Sequence, residues 1–212
     1  MNYKKILVIG DNDKAPYHTM NKIQEQLYTI LKDEFILIFN DQYDNLTLAD
    51  LESYELVISY IDCWNMEINN KLAVSIISYI SNGGGLLAIH NGISLQNNKE
   101  LAHIIGAEFT MHPERDTLIY TDINENHPIM KDIGEFQLWE EPYQFDFDPF
   151  TEKEILFYYQ SGDYKVPAAW TTKFGLGKVI YLSPGHEKKS FENQTFAQII
   201  RNCASWLRVT HP

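Results

Sequence analysis

The fold of this chain is decided by residues 82–92, which read NGGGLLAIHNG. Glycine accepts the left-handed conformation that ends a helix, and the apolar run behind the three glycines predicts a buried strand over residues 85–89. Ala88 to Gly92 has the small-x-nucleophile-x-Gly layout of a nucleophile elbow, a sharp turn at the end of a strand. His90 stands where serine or cysteine is expected, so this turn predicts an imidazole aimed out of a strand tip.

Strand-like and helix-like segments alternate on both sides of this stretch. Apolar runs predict strands over 5–9, 35–39 and 56–61, and helical spacing predicts helices over 18–31, 46–51, 69–80 and 94–105. Thr47 is a candidate helix cap. This alternation through Ile105 predicts an α/β protein with a mostly parallel central sheet and helices on both faces.

The pattern changes after Ile105. Residues 117–123 alternate like an edge strand, and a loop-rich stretch broken by His127-Pro128 and Pro142 follows. Three further strands are predicted over 154–160, 167–172 and 178–182, and a last helix over 193–207. Because no linker, repeat or low-complexity segment interrupts the chain, we expect one domain over residues 1–212.

Composition and charge limit the classes of partner. The 212 residues carry a net charge of −12, which repels nucleic acid and anionic membrane surfaces but leaves neutral small molecules free to approach. The glycines at 83–85 precede a strand instead of following one, so no nucleotide-binding loop is predicted. No apolar run approaches the roughly 20 residues that span a bilayer, and we expect a cytoplasmic location.

Ligands of open α/β sheets bind beyond the carboxyl ends of the strands. His18 follows the first predicted strand, Asp62 the third, His90 the fourth and His186 the last. His90 and His186 are the candidate catalytic residues, and His18 and Asp62 are candidates for binding substrate. For each histidine the alternative is a structural one, such as a capping or turn residue bonded to nearby backbone.

A second group of candidates lies between residues 110 and 145. His112 precedes a proline, which fixes the direction of its side chain, and we assign it to the site, whereas for His127 a packing role is favoured. Glu141 is a candidate catalytic residue, whose carboxylate would orient an imidazole or bind a cation. The pair Glu140-Glu141 is also typical of a solvated turn. Tyr143 beside it offers an aromatic face that suits a sugar.

Histidine and carboxylate side chains are ligands that zinc prefers. His90 and His186 are therefore candidate metal ligands, together with Glu141 and either His18 or His112. The spacing matches no His-x-x-x-His or Cys-x-x-Cys motif. The two cysteines, Cys63 and Cys203, are expected to be free thiols, although a disulfide stays open, and neither is placed as a nucleophile.

These segments together resemble the ThuA-like (trehalose utilisation) family, which has a fold similar to class I glutamine amidotransferases without their cysteine. The resemblance covers nearly the whole chain and rests on residues 83–90, 109–113, 127–129, 140–143, Trp170, 175–181 and 185–186. The family often has Asp-Glu where this chain has Glu140-Glu141. The resemblance implies a flavodoxin-like three-layer sandwich and a role in the metabolism of trehalose-like or oxidised disaccharides.

Two functions follow as alternatives. The first is a hydrolase or lyase that acts on a sugar derivative through the histidine-rich site, without glutaminase activity because the elbow carries no nucleophile. The second is a non-catalytic protein that binds or senses a sugar or metabolite. A third interpretation, in which the histidines are only structural, stays open, as does a homodimer.

Overall fold

The computed structural model describes residues 4–162 and 164–208 of the chain. The strands within these ranges are β1 Lys5–Gly10, β2 Ile36–Asn40, β3 Leu56–Tyr60, β4 Gly85–Ile89, β5 Ala107–Met111, β6 Asp116–Thr121, β7 Phe136–Glu140, β8 Gln144–Phe147, β9 Lys153–Ser161, β10 Tyr164–Phe174 and β11 Gly177–Leu182. The α-helices are α1 Gln24–Leu31, α2 Leu48–Leu51, α3 Asn70–Ser81, α4 Lys99–Ile105, α5 Lys188–Glu192 and α6 Gln194–Leu207. Short 3-10 helices lie at Met20–Lys22, Tyr43–Asn45, His90–Asn97 and Pro128–Met130.

In the described residues a central sheet has nine strands in the order β2-β1-β3-β4-β11-β10-β9-β6-β7. Neighbours from β2 to β11 run parallel, and neighbours from β11 to β7 run antiparallel. The predicted α/β class is confirmed. The sheet is large and mixed, because the segments after Ile105 return through hairpins and not through helices.

The sheet separates two apolar cores. In β1, Ile6 and Val8 pack into one cluster, and Leu7 and Ile9 pack into the other. Alternate side chains of a strand point to opposite faces, so a strand buried on both faces reads as a continuous apolar run. Helices α1 and α6 contribute to the first cluster, and α3 and α4 to the second. Helices therefore cover both faces of the parallel half, as the alternation predicted.

The prediction of an edge strand over 117–123 is wrong. Strand β6, Asp116–Thr121, lies between β9 and β7, and β7 is the edge. The stretch expected to be loop-rich contains β7, in which Phe136, Leu138 and Glu140 are buried and the residues between them are exposed. Pro142 follows this strand and does not interrupt it. Strands β5 and β8, which form a separate two-stranded sheet, were not predicted either.

Two predicted helices start later than their apolar spacing indicated. The backbone N–H groups of Tyr17 and His18 donate to the carboxylate of Asp62 at 2.8 and 2.5 Å, so this turn is bonded to a side chain and the first α-helix begins only at Gln24. The segment at 94–105 divides into a 3-10 helix and α4, which is capped by Asn98. The predicted Thr47 cap of α2 is confirmed, and its side chain accepts the N–H of Asp50.

Candidate functional site

The turn after β4 has the constraints of an elbow. His90 has a positive φ of 48°, a conformation that is uncommon for residues other than glycine. A Cβ atom at Gly92 would lie 2.2 Å from the carbonyl oxygen of Ser59 in β3, so only glycine fits there. The backbone therefore turns sharply against the neighbouring strand and holds His90 at the carboxyl end of the sheet.

The ring of His90 is buried, with both nitrogens facing defined groups. Its Nδ1 donates to the carbonyl oxygen of Ser183 at 2.7 Å, which leaves Nε2 with a lone pair. That Nε2 lies 3.3 Å from Oε2 of Glu141, and the ring of Tyr143 stacks on it at 4.4 Å between centroids. Burial lowers the pKa of His90 to about 4, so the imidazole is neutral at pH 7.

The rings of His186 and His18 both face Oε2 of Glu141, the oxygen that also faces His90. Nδ1 of His186 lies 3.0 Å from Nε2 of His18 and 3.2 Å from Oε2 of Glu141. Nε2 of His18 lies 3.7 Å from the same carboxylate oxygen. Three imidazole nitrogens and one carboxylate oxygen thus converge from segments that are far apart in the chain.

Asp62 lies behind His18. Its side chain is fully buried, and Oδ1 is 3.5 Å from Nδ1 of His18. Burial would raise the pKa of Asp62, but its contacts with His18 and the N–H of Tyr17 outweigh burial and lower the pKa. Asp62 is thus an anion that faces the ring of His18, in the position from which a carboxylate orients a metal-bound histidine.

Glu141 connects the cluster to the open side. Burial would raise its pKa, but contacts with His186 and His90 outweigh burial and hold the pKa well below its usual range. Its second oxygen, Oε1, lies 3.8 Å from Nε2 of His112. The Nδ1 of His112 donates to the carbonyl oxygen of Pro113 at 2.8 Å, and its Nε2 faces Glu141.

Glu140 has a role that the sequence did not reveal. It is fully buried and accepts the N–H groups of Gly185 and His186 at 2.9 and 3.1 Å, as well as the hydroxyl of Ser190. Burial raises its pKa to about 7 against the effect of these hydrogen bonds. Glu140 therefore fixes the turn that carries His186. The alternation of β7 was the available signal, because it directs positions 136, 138 and 140 inward.

All seven residues predicted for the site lie in this region, but only four of them form the central cluster, and the others lie around it. His18, His90, His186 and Glu141 offer ligand atoms that all lie within 4.8 Å of one another. His112 and Tyr143 line an adjoining cavity of about 290 Å³, together with Tyr17, His18, Trp64, Phe109 and Glu141. Asp62 is not among the residues that line this cavity. His127 is buried elsewhere, against Trp206, in agreement with the predicted packing role.

The four central atoms are spaced like the ligands of a metal ion. In tetrahedral zinc with bonds near 2.0–2.1 Å, ligand atoms lie roughly 3.3 Å apart. Four of the six distances between these atoms measure 3.0, 3.2, 3.3 and 3.7 Å, and all six are within 4.8 Å. Nε2 of His90 and Oε2 of Glu141 are buried and have no hydrogen-bond partner among the described residues. Buried polar atoms are normally satisfied, so this group is chemically suited to a cation.

The sequence is similar to a known protein family over nearly its whole length. The family model ThuA, described as trehalose utilisation, matches residues 5–207. The chain belongs to the ThuA family. Membership points to a carbohydrate-related role, and the residues that make up the histidine cluster all lie inside the matched range.

Solved structures of ThuA-like proteins share the fold. One from Bacteroides uniformis is 19% identical, with 96% of this chain and 91% of that chain covered and a TM-score of 0.78. One from Parabacteroides merdae is 16% identical, with 99% and 92% covered and a TM-score of 0.80. A cytoplasmic protein of Salmonella typhimurium is 16% identical, with 96% and 99% covered and a TM-score of 0.70. No curated protein matches the chain.

Two further expectations concern the cysteines and the membrane. Cys63 and Cys203 are both buried and free, and burial raises the pKa of Cys63 to about 12, which keeps it a thiol. Of the helices in the described ranges, none combines the length and apolar character needed to cross a membrane.

Proposed function

We propose that this ThuA-family protein is a metal-dependent enzyme that acts on a sugar derivative by hydrolytic or lyase chemistry. The observation that carries the proposal is the convergence of His18, His90 and His186 with the Glu141 carboxylate beside an open aromatic cavity. Perturbed titratable groups that meet at a cavity are typical of functional sites.

The donor set supports a divalent metal, with zinc as the first candidate. Neutral imidazole and carboxylate groups suit zinc and several other transition metals. The three histidines and Glu141 would hold the ion, and Asp62 would orient His18 from behind. When bound, such an ion polarises a substrate oxygen and lowers the pKa of a coordinated hydroxyl or water.

Other groups of the chain position the cluster residues and the substrate. The Ser183 carbonyl fixes the tautomer of His90, so that its Nε2 lone pair points to the cluster. Glu140 holds the turn of His186 through two backbone N–H groups. His112 and Tyr143, on the cavity wall, would position substrate.

We also propose that the fold is the flavodoxin-like, glutamine amidotransferase-like sandwich without glutaminase activity. The parallel strand order β2-β1-β3-β4-β11 follows the 2-1-3-4-5 order of such sheets. The elbow carries His90, and burial keeps Cys63 a thiol, whose Sγ donates to the carbonyl oxygen of Ser94. Ammonia release from glutamine that is abolished by Cys63→Ser would refute this part.

Turnover of a panel of native and 3-keto disaccharides tests the main proposal. We expect turnover by zinc-loaded protein, loss after chelation, recovery on adding Zn²⁺, and loss in Glu141→Gln. His127→Gln is the matched control, because His127 is buried outside the cluster. Sugar binding without turnover in metal-loaded protein would contradict the enzyme and favour the alternative of a sugar sensor.

A further inference from the structure

Strand β2 forms one edge of the nine-stranded sheet, and no other described strand pairs with its outer side. The N–H of Ile36 donates to the carbonyl oxygen of Lys4 at 2.9 Å, so Ile36 and Ile38 direct their backbone groups to β1. Because these groups alternate in direction along a strand, the N–H and C=O of Leu37 and Phe39 point outward. Backbone groups at a free edge are a template for pairing with another strand.

The β2 edge lacks the features by which proteins protect exposed strands from association. Charged residues, prolines and β-bulges are common ones. Strand β2 reads ILIFN, without a charge or a proline, and its register with β1 is uninterrupted. The opposite edge, β7, has the acidic side chain of Glu140 pointing inward, and Pro142 follows shortly after it. Strand β2 is therefore the edge that is suited to pairing.

Apolar side chains flank this edge on both faces of the sheet. On one face, Ile36 and Ile38 are 38% and 39% exposed, since the four-residue helix α2 that links β2 to β3 leaves them uncovered. On the other face, Leu37 and Phe39 line an open groove of about 470 Å³ beside α1. Tyr28 lies in the same groove and is 52% exposed. A strand that pairs with β2 would bury apolar surface on both faces.

A second copy of β2 matches this edge in antiparallel orientation. When Ile38 lies opposite the partner's Ile38 on a two-fold axis, Leu37 of each chain lies opposite Phe39 of the other. Both of these are hydrogen-bonded pairs, so the outward N–H and C=O groups of both chains find partners. The two Ile38 side chains meet in a close pair, with Ile36 of each chain diagonal to it. The edge is thus self-complementary, as a two-fold interface requires.

The charges at the two ends of the strand also fit this orientation. Lysines outnumber acids around the start of β1 and β2, and acids outnumber lysines beyond their ends. The residues are Lys4, Lys5, Lys32, Asp33 and Glu34 at the start, and Asp11, Asp13, Lys14, Asp41 and Asp44 beyond the ends. Antiparallel pairing places the start of β2 in one chain beside the end of β2 in the other. No residue from 35 to 40 is charged, so the paired strands themselves do not repel.

We infer that β2 is the interface of a reversible homodimer, in which two copies pair these strands antiparallel across a two-fold axis at Ile38. The central sheet then continues through both chains. Stable interfaces bury roughly 800 Å² on each partner, more than one short edge strand supplies, so the dissociation constant should be on the order of 10 μM. No residue of the histidine cluster lies in β2, and the inference is independent of the proposed function.

Sedimentation velocity of the full chain over about 1–200 μM tests the inference, because mass action makes a weak dimer depend on concentration. We expect the mass to rise from that of one chain to that of two. Ile38→Lys places like charges opposite each other and should weaken association at least about tenfold. Ile119→Lys is the matched control and should associate like the parent, because Ile119 is 47% exposed in β6, inside the sheet.

A mixture of two variants tests the register of the pairing. Residue 38 faces itself across the axis, so Ile38→Lys and Ile38→Glu should each be monomeric alone and should associate when mixed in equal amounts. Circular dichroism of each variant checks that it is folded. A parent protein that stays monomeric over the whole range overturns the inference, and so does a dimer that Ile38→Lys leaves unchanged. A parent dimer without recovery in the mixture overturns the pairing about Ile38.

Discussion

Nε2 of His90 lies 3.3 Å from Oε2 of Glu141, and neither atom has a hydrogen-bond partner in the described part of the chain. Nδ1 of His90 and both oxygens of Glu140 are hydrogen-bonded, whereas Nδ1 of His18 and Oδ1 of Asp62, beside the cluster, are also buried without a partner in the described residues. Leaving a buried polar atom without a partner costs about 1–3 kcal/mol. A cation between Nε2 of His90 and Oε2 of Glu141 would remove that cost, which is why the proposed reaction is metal-dependent.

Asp62→Asn should weaken metal binding without preventing folding. The carboxylate faces Nδ1 of His18 at 3.5 Å, and removing such a partner typically lowers metal affinity about 10–100-fold. Competition for Zn²⁺ with a chromogenic chelator measures the affinity. Asp122→Asn is the control, since Asp122 is exposed and pairs with Lys165. Equal affinities in the two variants would show that Asp62 does not act through His18.

The glycine of the elbow should be intolerant of even a methyl group. Gly92→Ala is expected to destabilise the fold by roughly 3 kcal/mol, because the new Cβ would overlap the Ser59 carbonyl oxygen and the strand cannot move away. Gly134→Ala has no atom within 4 Å of its new Cβ and should change stability by less than about 1 kcal/mol. Urea denaturation of both variants measures the difference. Similar midpoints would mean that the elbow is less tightly packed than described.

Glu140 should make stability depend on pH. Burial raises its pKa from 4.5 to about 7, so the folded state keeps a proton that the unfolded state loses. The stability that this group contributes is fully present below pH 4.5 and is lost as pH rises through about 7.

Glu140→Gln removes this titration while its amide oxygen still accepts the N–H groups of Gly185 and His186. The difference in unfolding free energy between the parent protein and the variant should fall by about 3 kcal/mol across that window, since one pKa unit corresponds to about 1.36 kcal/mol. Denaturation of metal-free protein at several pH values measures it. A difference that is independent of pH would show that Glu140 titrates normally. The comparison with the variant is needed because His90, whose pKa is lowered to about 4, contributes a trend of opposite sign.

Much of the parallel half of the fold was predictable, because burial on both faces leaves a simple sequence pattern. The apolar runs of β1, β3 and β4 and the capped helix α2 appear where expected. The antiparallel half was harder. Strand β7 buries one face only, and its alternation over five residues was obscured by the acids and the proline that follow it.

The location of the site was predictable, because ligands of open α/β sheets bind at the carboxyl ends of the strands. The roles of individual residues were not predictable, because tertiary contacts decide them. That rule groups His90 with His186. The same rule does not predict that the side chain of Glu140 points into the core, whereas the side chain of Glu141, one residue later, faces the imidazoles. Nor does it tell that Asp62 reaches the site only through His18, because the two residues are far apart in sequence and pair only when β1 and β3 lie side by side.

The most direct test of the account is the metal content of the full chain purified without added metal, measured by inductively coupled plasma mass spectrometry before and after incubation with Zn²⁺ and gel filtration. We expect about one divalent ion per chain after loading. The ion should be lost in Glu141→Gln and in His90→Asn and retained in His127→Asn, with circular dichroism showing that all variants are folded. Folded protein that takes up no ion, or site variants that bind it as well as the parent, would contradict the account.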